Sequence, residues 1–244
     1  MWPMKDTALS KVRTKIFADG ADLEMIARLA AQPLVKGFTT NPTLMRRSGV
    51  TDYRAFTRQV LEIVGERPIS FGVLADEPGE IRRQAFEIGR LARNVNVKIP
   101  ITTTDGTWLL EVIREVSHAG IHVNATAVMT IEQVMSACGA LKGGAPSFIS
   151  VFAGRIADTG RDPVPLMESA AALCREAGPG IELIWTSPRE VLNLFQADRV
   201  GADVITFPPN LLEKLALVGK DLNVFSRETV LGFKQDGLLA GYKL

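Results

Sequence analysis

Cysteine and histidine are scarce in this chain of 244 residues, which contains two of each. Two cysteines are too few for a disulfide framework. Because Cys138 and Cys174 both lie in alanine-rich helical stretches, we expect buried structural thiols. Neither a CxxC nor an HExxH motif occurs, and two histidines do not suffice for a typical structural zinc site. We therefore expect no structural zinc site.

The chain also lacks an excess of either charge and a long apolar run. It carries 28 basic and 27 acidic residues, a formal net charge of +1. This balance argues against a nucleic acid or a membrane surface as partner, although a local basic pocket can still bind one phosphate. No segment approaches the ~20 apolar residues of a membrane span, and residues 1–15 lack the apolar run of a signal peptide. We therefore expect a protein of the reducing cytoplasm.

Eight short runs rich in β-branched and aromatic residues alternate with longer amphipathic runs along the whole chain. The predicted strands are 15–19, 35–40, 68–74, 95–99, 121–126, 148–152, 181–185 and 202–206. The predicted helices are 22–31, 52–64, 77–93, 106–119, 130–141, 164–177, 188–197 and 210–218. The residues whose types and positions predict helix caps are Asp52, Thr130, Ser187 and Asn210.

Strict alternation of strand and helix predicts a parallel sheet, and eight units predict a closed (β/α)₈ TIM barrel. The length fits one such barrel of ~250 residues, so residues 1–244 form a single predicted domain. An open doubly wound sheet normally carries a glycine-rich fingerprint after its first strand, and residues 19–22 (DGAD) provide none. A further helical segment, 224–237 within a tail of about 220–244, can cover the barrel mouth or pack on a neighbouring subunit.

Lys98 is the most informative polar residue at the ends of the predicted strands, where barrel active sites lie. Strand alternation puts Lys98 and Asn96 on one face and Val97 and Ile99 on the other. Burying an ammonium is unfavourable unless the group is paired or neutralised. A lysine that points into a barrel, with its pKa lowered by burial, is suited to act as an amine nucleophile. The alternative is a lysine on an edge strand that extends to water.

Three other polar residues at strand ends have both a functional and a structural interpretation. Asp19 can act as a general acid/base or can cap a helix. Asn41, held extended by Pro42, can bind a substrate hydroxyl or form a plain turn. Arg155 can grip a phosphate with its fork of donors or can be an ordinary surface arginine.

Five motifs taken together resemble the transaldolase family, including its short form represented by fructose 6-phosphate aldolase. They are IFADGAD around Asp19, GFTTNPTL at 37–44, VKIP around Lys98, Asn124-Ala125-Thr126, and FAGRI at 152–156. Each motif alone is weak evidence, but all five occur in order at predicted strand ends over about 15–210. The resemblance implies a (β/α)₈ barrel of the class I aldolase type, with its Schiff-base lysine on strand 4.

The same resemblance implies roles for individual residues. Lys98 would form the imine with a ketose donor, Asp19 would be the acid/base in cleavage of the C3–C4 bond, and Thr126 would help to place a catalytic water. The residues that the resemblance implies for substrate binding are Thr40, Asn41 and Asn124 at the donor, Phe152 in the pocket wall, and Arg155 on the phosphate. The implied partner is a sugar phosphate, and short family members commonly assemble into rings, so we expect a homo-oligomer.

Two positions depart from the family pattern. Strand 3 of the family presents a glutamate, or a glutamine in the aldolase form, where this sequence has Gly72. After strand 7 the family has a serine closely followed by a basic residue, and here Ser187 or Arg189 can substitute.

Three functions therefore stay open. One is a transaldolase of the pentose phosphate pathway that moves a dihydroxyacetone unit from a ketose phosphate to an aldose phosphate. Another is an aldolase that releases dihydroxyacetone. The third is a barrel that binds sugar phosphates with weak turnover because of Gly72.

Overall fold

A computed structural model describes residues 8–242 and contains a closed barrel of eight parallel strands. Each strand pairs with the next one in chain order, and the eighth pairs with the first. The strands are β1 Lys15–Asp19, β2 Val35–Thr39, β3 Ile69–Gly72, β4 Val95–Pro100, β5 Val123–Val128, β6 Ser147–Val151, β7 Ile181–Trp185 and β8 Val204–Phe207. The predicted (β/α)₈ barrel is confirmed, and the closed order excludes an open sheet.

Helices connect the strands and cover the outside of the barrel. They are α1 Leu23–Ala30, α2 Pro42–Arg47, α3 Tyr53–Val64, α4 Pro78–Gly89, α5 Leu110–His118, α6 Ile131–Leu141, α7 Ala153–Asp158, α8 Val164–Ala177, α9 Leu192–Val200, α10 Pro209–Lys214 and α11 Leu222–Leu239. Every predicted strand and helix is present with bounds shifted by up to four residues. The short helices α2 and α7 were not predicted, and each directly follows a strand at the barrel mouth.

The barrel interior changes from apolar to polar along the strands. Phe17, Phe148, Ile184 and Val204 form a separate apolar cluster inside the barrel, and the Phe17 and Phe148 rings meet edge to face. Asp19 lies two residues beyond Phe17 on the same strand and so faces the same interior nearer the carboxyl end. The polar groups of the mouth therefore lie beyond this apolar cluster.

Two of the four predicted helix caps are correct. Asp52 caps α3 by accepting a hydrogen bond from the Ala55 amide, and Thr130 caps α6. The prediction for Ser187 is wrong, because its backbone is left-handed with φ 58° and α9 begins only at Leu192. The prediction for Asn210 is also wrong, since α10 begins one residue earlier, at a proline that suits the first helical position.

The two cysteines are free and buried, as expected, on the neighbouring helices α6 and α8. The predicted segment beyond the eighth unit is the eighteen-residue helix α11, which Asp221 caps. None of the α11 residues is buried, and its exposed large apolar side chains include Leu222, Val230, Leu231, Phe233, Leu238 and Leu239. No helix within residues 8–242 combines the length and apolar character needed to cross a bilayer. Residues 1–7 and 243–244, which belong to the predicted amino-terminal segment and tail, lie outside the described part.

Candidate active site

A cavity of about 480 Å³ opens at the carboxyl ends of the strands. Functional groups reach it from Asp19, Asn41, Arg47, Lys98, Thr126, Arg155, Ser187 and Thr206. A larger cavity of about 650 Å³ lies at the opposite end, near Phe17, Asn96 and His122, and contains none of the predicted site residues. Active sites of (β/α)₈ enzymes lie at the carboxyl end, so the smaller cavity is the candidate site.

Lys98 lies on β4 with only 8% of its surface exposed. Its ammonium nitrogen donates a hydrogen bond to the Thr40 carbonyl at 3.1 Å. No carboxylate of the described residues forms an ion pair with Lys98. Burial lowers the pKa of Lys98, and the nearby Asp19 charge offsets this only in part. A lowered pKa increases the fraction of neutral amine, which is the nucleophilic form.

Asp19 ends β1 and faces the same cavity. Its carboxylate accepts a hydrogen bond from the Thr39 hydroxyl at 2.6 Å, and that hydroxyl lies 2.7 Å from the Thr206 hydroxyl. Burial raises the pKa of Asp19, opposed by the Lys98 charge and the Thr39 bond. Asp22, not Asp19, caps the following helix α1. The Asp19 carboxyl group is therefore free to exchange a proton with a bound molecule.

Asn124 and Thr40 lie beneath the cavity and do not line it. The Asn124 side chain is fully buried, donates to Ser70 Oγ at 3.0 Å and accepts from Ser150 Oγ at 2.7 Å. Thr40 is also fully buried, and its backbone carbonyl is the partner of Lys98. Ser70, Asn124 and Ser150 thus form a buried network, and Asn124 is in register with Lys98 on the neighbouring strand.

Asn41 lies in the cavity wall and at the same time caps α2. Its side-chain oxygen accepts from the Leu44 amide at 3.0 Å, and Pro42 takes the first helical position. The α2 helix ends at Arg47, which extends into the cavity wall. Arg47 was not predicted as a site residue, although the Asn-Pro pair is a sequence signal for a helix start. No carboxylate of the described residues pairs with Arg47.

Thr126 and Gly72 lie on the strands that flank β4. The Thr126 hydroxyl oxygen is buried and has no hydrogen-bond partner. Gly72 is in register with Lys98, and its carbonyl accepts from the Tyr53 hydroxyl at 2.9 Å. A Cβ atom on Gly72 would have a single neighbour within 4 Å, Pro42 Cδ at 3.7 Å. The missing side chain therefore leaves an opening beside Lys98.

Arg155 approaches the cavity from α7, next to Phe152 in the wall. Its guanidinium lies 5.1 Å from the centroid of the Phe152 ring, a cation–π distance that orients the group. Gly154 makes this arrangement possible, because a Cβ atom there would lie 1.5 Å from the Ser187 carbonyl oxygen. The start of α7 and the chain after β7 are thus in backbone contact.

Ser187 lines the cavity and Arg189 does not. The Arg189 guanidinium bonds to the Asp158 carboxylate, with one contact of 2.8 Å from Nε, and donates to the Ser187 carbonyl at 2.9 Å. The hydrogen bonds from Arg189 also hold the pKa of Asp158 below its usual value. Arg189 therefore lies behind Ser187 and is already paired. Within the described residues, no group of three or more His, Cys, Asp or Glu side chains is arranged to hold a metal ion.

Known proteins resemble this chain along most of its length. The family model described as Transaldolase/Fructose-6-phosphate aldolase matches residues 16–241. A "Probable transaldolase" of Dehalococcoides mccartyi is 35% identical over 82% of this chain and 89% of its own. Another "Probable transaldolase", of Sphingopyxis alaskensis, is 32% identical over 94% of this chain and all of its own.

A solved structure of 2,3-dimethylmalate lyase, a member of the PEP mutase/isocitrate lyase superfamily, superposes with a TM-score of 0.52. It is 15% identical and covers 94% of this chain and 84% of its own, which supports the barrel fold alone. The family match rests on the sequence itself, and it includes the regions at the strand ends that carry Asp19, Lys98 and Arg155. The chain belongs to the transaldolase/fructose-6-phosphate aldolase family.

Proposed function

We propose that this enzyme is a transaldolase that uses Lys98 as its Schiff-base residue. It would transfer a dihydroxyacetone unit from a ketose phosphate, of the fructose 6-phosphate or sedoheptulose 7-phosphate type, to an aldose phosphate. This reaction belongs to carbohydrate metabolism, in the pentose phosphate pathway. The observation that supports the proposal most is a buried lysine with a lowered pKa that shares a cavity with a partly buried carboxyl group.

The reaction begins when the neutral Lys98 amine attacks the C2 carbonyl of the donor and loss of water gives an imine. Asp19 accepts the proton of the C4 hydroxyl while the C3–C4 bond breaks, and the electron pair moves into the imine to form an enamine. The first aldehyde leaves and an aldose phosphate replaces it. The enamine then attacks this acceptor, Asp19 returns the proton, and water releases the product from Lys98. The imine is the electron sink, so the steps require no metal or organic cofactor.

The other side chains would hold the substrate and a water. The unpartnered Thr126 hydroxyl is available to bind the water of imine formation and hydrolysis. Arg155 and Ser187 would bind the phosphate, with Arg189 holding Ser187 in place. Asn41 is the residue proposed for the donor hydroxyls, and the buried Thr40 and Asn124 would act only indirectly, through their neighbours.

Two alternatives differ in the fate of the bound ketose. An aldolase would release dihydroxyacetone, and a sugar-phosphate-binding barrel would form the imine with weak turnover. The opening at Gly72 favours weak turnover, because no carboxylate orders the water there.

Borohydride trapping with fructose 6-phosphate, followed by mass spectrometry, tests all three functions. An adduct on Lys98 together with transfer to erythrose 4-phosphate supports the transaldolase. Adduct with free dihydroxyacetone supports the aldolase, and adduct without turnover supports the binding barrel. Lys98→Met is the control, and absence of any adduct in the unchanged protein would refute the imine.

We also propose that the protein is a homo-oligomer in which α11 packs on a second copy of the chain. The helix exposes a series of large apolar side chains, including Phe233 and Leu238, that its own barrel does not cover. Light scattering after size exclusion gives the mass in solution, and Phe233→Glu should lower it. A monomeric unchanged protein would refute this proposal.

A further inference from the structure

Two buried hydroxyl groups beside Asp19 have no part in the proposed chemistry. Thr39 ends β2 and Thr206 lies on β8, the two strands that pair with β1, which carries Asp19. Thr39 is in register with Asp19, and Thr206 is in register with Phe17 of the interior cluster. Both threonines are almost completely buried, with 0% and 3% of their surface exposed. Valine, which has nearly the same shape, would fit both positions at lower cost unless the hydroxyls have partners to bind.

The two hydroxyls form a hydrogen-bonded chain that ends on one oxygen of the Asp19 carboxylate. An ionised carboxylate can only accept hydrogen bonds, so the Thr39 hydroxyl donates to Asp19 Oδ1, at 2.6 Å. A hydroxyl has a single proton, and Thr39 uses it on Asp19. The 2.7 Å bond between the two threonines must therefore run from Thr206 to Thr39. Donation from Thr206 polarises the Thr39 hydroxyl and strengthens its bond to the carboxylate.

This chain makes the two oxygens of Asp19 unequal. Oδ1 accepts the bond from Thr39, whereas no hydrogen bond from the described residues reaches Oδ2. Because Asp19 lines the cavity, Oδ2 is the oxygen that remains for a bound molecule. A proton that Asp19 accepts from that molecule is placed on Oδ2, since Oδ1 already faces a hydroxyl that donates to it.

The same chain favours the charged form of Asp19. Burial raises the pKa of this carboxyl group, and the Lys98 charge and the Thr39 hydrogen bond lower it. The contribution of Lys98 is transient, because cleavage converts a positively charged imine into a neutral enamine. The threonine hydroxyls are present at every step, so their effect on the pKa of Asp19 does not depend on the state of Lys98.

We propose that Thr39 and Thr206 are positioning residues of the transfer reaction, which hold Asp19 Oδ1 and direct proton exchange to Oδ2. This inference rests on the proposed function and deepens it, because it explains how the general base is controlled. In cleavage, the C4 hydroxyl proton moves to Oδ2 while the electron pair of the C3–C4 bond moves into the imine. In addition, the same oxygen returns the proton to the new alkoxide of the acceptor. Neither threonine gains or loses a proton.

Thr39→Val tests the proposal, because it removes the hydroxyl and keeps a branched side chain. Charge-assisted hydrogen bonds are strong, so kcat for transfer from fructose 6-phosphate to erythrose 4-phosphate should fall about tenfold or more. The pKa of Asp19 should rise. Since Asp19 must be ionised to accept a proton, the acid limb of the pH profile of kcat should move to higher pH. Borohydride should still trap fructose 6-phosphate on Lys98, because imine formation does not use the Thr39 hydroxyl.

Three further variants separate positioning from packing. Thr39→Ser restores the hydroxyl on a smaller side chain and should recover most of kcat and the original acid limb. Thr206→Val removes the donor to Thr39 and should move the acid limb in the same direction as Thr39→Val, but less far. Thr57→Val is the matched control, because Thr57 is a buried threonine of α3 whose hydroxyl donates to the Arg54 carbonyl and which does not line the cavity. It should change neither kcat nor the acid limb.

A folded Thr39→Val protein with unchanged kcat and an unchanged acid limb would overturn the proposal, and so would a Thr39→Ser protein that behaves like Thr39→Val. If Thr39→Val does not fold, Thr206→Val decides, and an acid limb that does not move in that variant refutes the chain. Any of these results, together with transfer and a Lys98 adduct in the unchanged protein, leaves the proposed function intact. Absence of an adduct in the unchanged protein would refute the proposed function and this inference with it.

Discussion

Gly72→Glu should raise kcat for transfer from fructose 6-phosphate to erythrose 4-phosphate. The resemblance to the family implies a glutamate or glutamine at this position, and a Cβ atom at Gly72 has space beside Lys98. The backbone at Gly72 is not left-handed, and a Cβ atom would make only an ordinary contact, 3.7 Å from Pro42 Cδ. The variant should therefore fold without strain, and loss of activity through a clash is not expected.

The size of the effect follows from the proton transfers of imine formation and hydrolysis. General acid–base assistance contributes about 10²–10⁴-fold in rate, and a water held by Thr126 would already supply part of it, so we expect a gain of at least ~10-fold. The KM for the donor should change little, because replacing Gly72 removes no side-chain contact to fructose 6-phosphate. The new carboxylate would also raise the pKa of the adjacent Lys98, so the acid limb of the pH–rate profile should move to higher pH.

Steady-state rates of the unchanged protein, Gly72→Glu and Gly72→Gln decide the question. Glutamine has the same size and can hold a water, but it cannot accept a proton. A gain with glutamate alone identifies a missing proton-transfer group, and an equal gain with both identifies a missing water-ordering group. A folded Gly72→Glu protein that is no faster than the unchanged one would refute the reasoning.

Three further predictions concern the groups around the cavity. Lys98→Met should fold and yield no borohydride adduct with any ketose. A trapped adduct in this variant would show that another lysine forms the imine. Asp19→Asn removes a charge that raises the pKa of Lys98, so the pH at which trapping reaches half its maximal rate should fall; an upward shift contradicts the coupling. Arg155→Ala should weaken fructose 6-phosphate relative to unphosphorylated fructose about tenfold or more, since charged hydrogen bonds contribute roughly 1.5–3 kcal/mol. An equal loss of affinity for both sugars would show that Arg155 does not bind the phosphate.

Most of the barrel could be predicted from the sequence because each buried strand is a compact run of β-branched and aromatic residues. The two missed helices, α2 and α7, have six residues each, too few for a helical pattern to be distinguished from a loop. The α2 helix had a signal in Asn41-Pro42, whereas α7 has no side-chain cap and contains Gly154 in its first turn. Because α2 was not predicted, Arg47 at its end was not recognised as a residue of the site.

The candidate site was predictable where a residue type is unusual for its position, and less so where neighbours determine its role. Lys98 was detectable because a lysine in a buried strand is costly unless neutralised. Nothing in the sequence indicated that Asn124 bonds to two serines below the cavity, or that Arg189 pairs with Asp158. Both arrangements depend on contacts between strands or helices distant in the chain. Ser187 was wrongly predicted as a helix cap, because the sequence does not reveal that its backbone is left-handed.

The backbone contact between Gly154 and Ser187 also restricts how this sequence can diverge. Because the Ser187 carbonyl occupies the place of a Cβ atom, no other amino acid fits at position 154 while the chain after β7 keeps its path. In a homologue with alanine or any larger residue at this position, the chain after β7 must follow a different path. The residues that correspond to Ser187 and Arg189 will then be placed differently. Position 154 can therefore be used to sort homologous sequences into those that retain the proposed phosphate site and those that have rebuilt it.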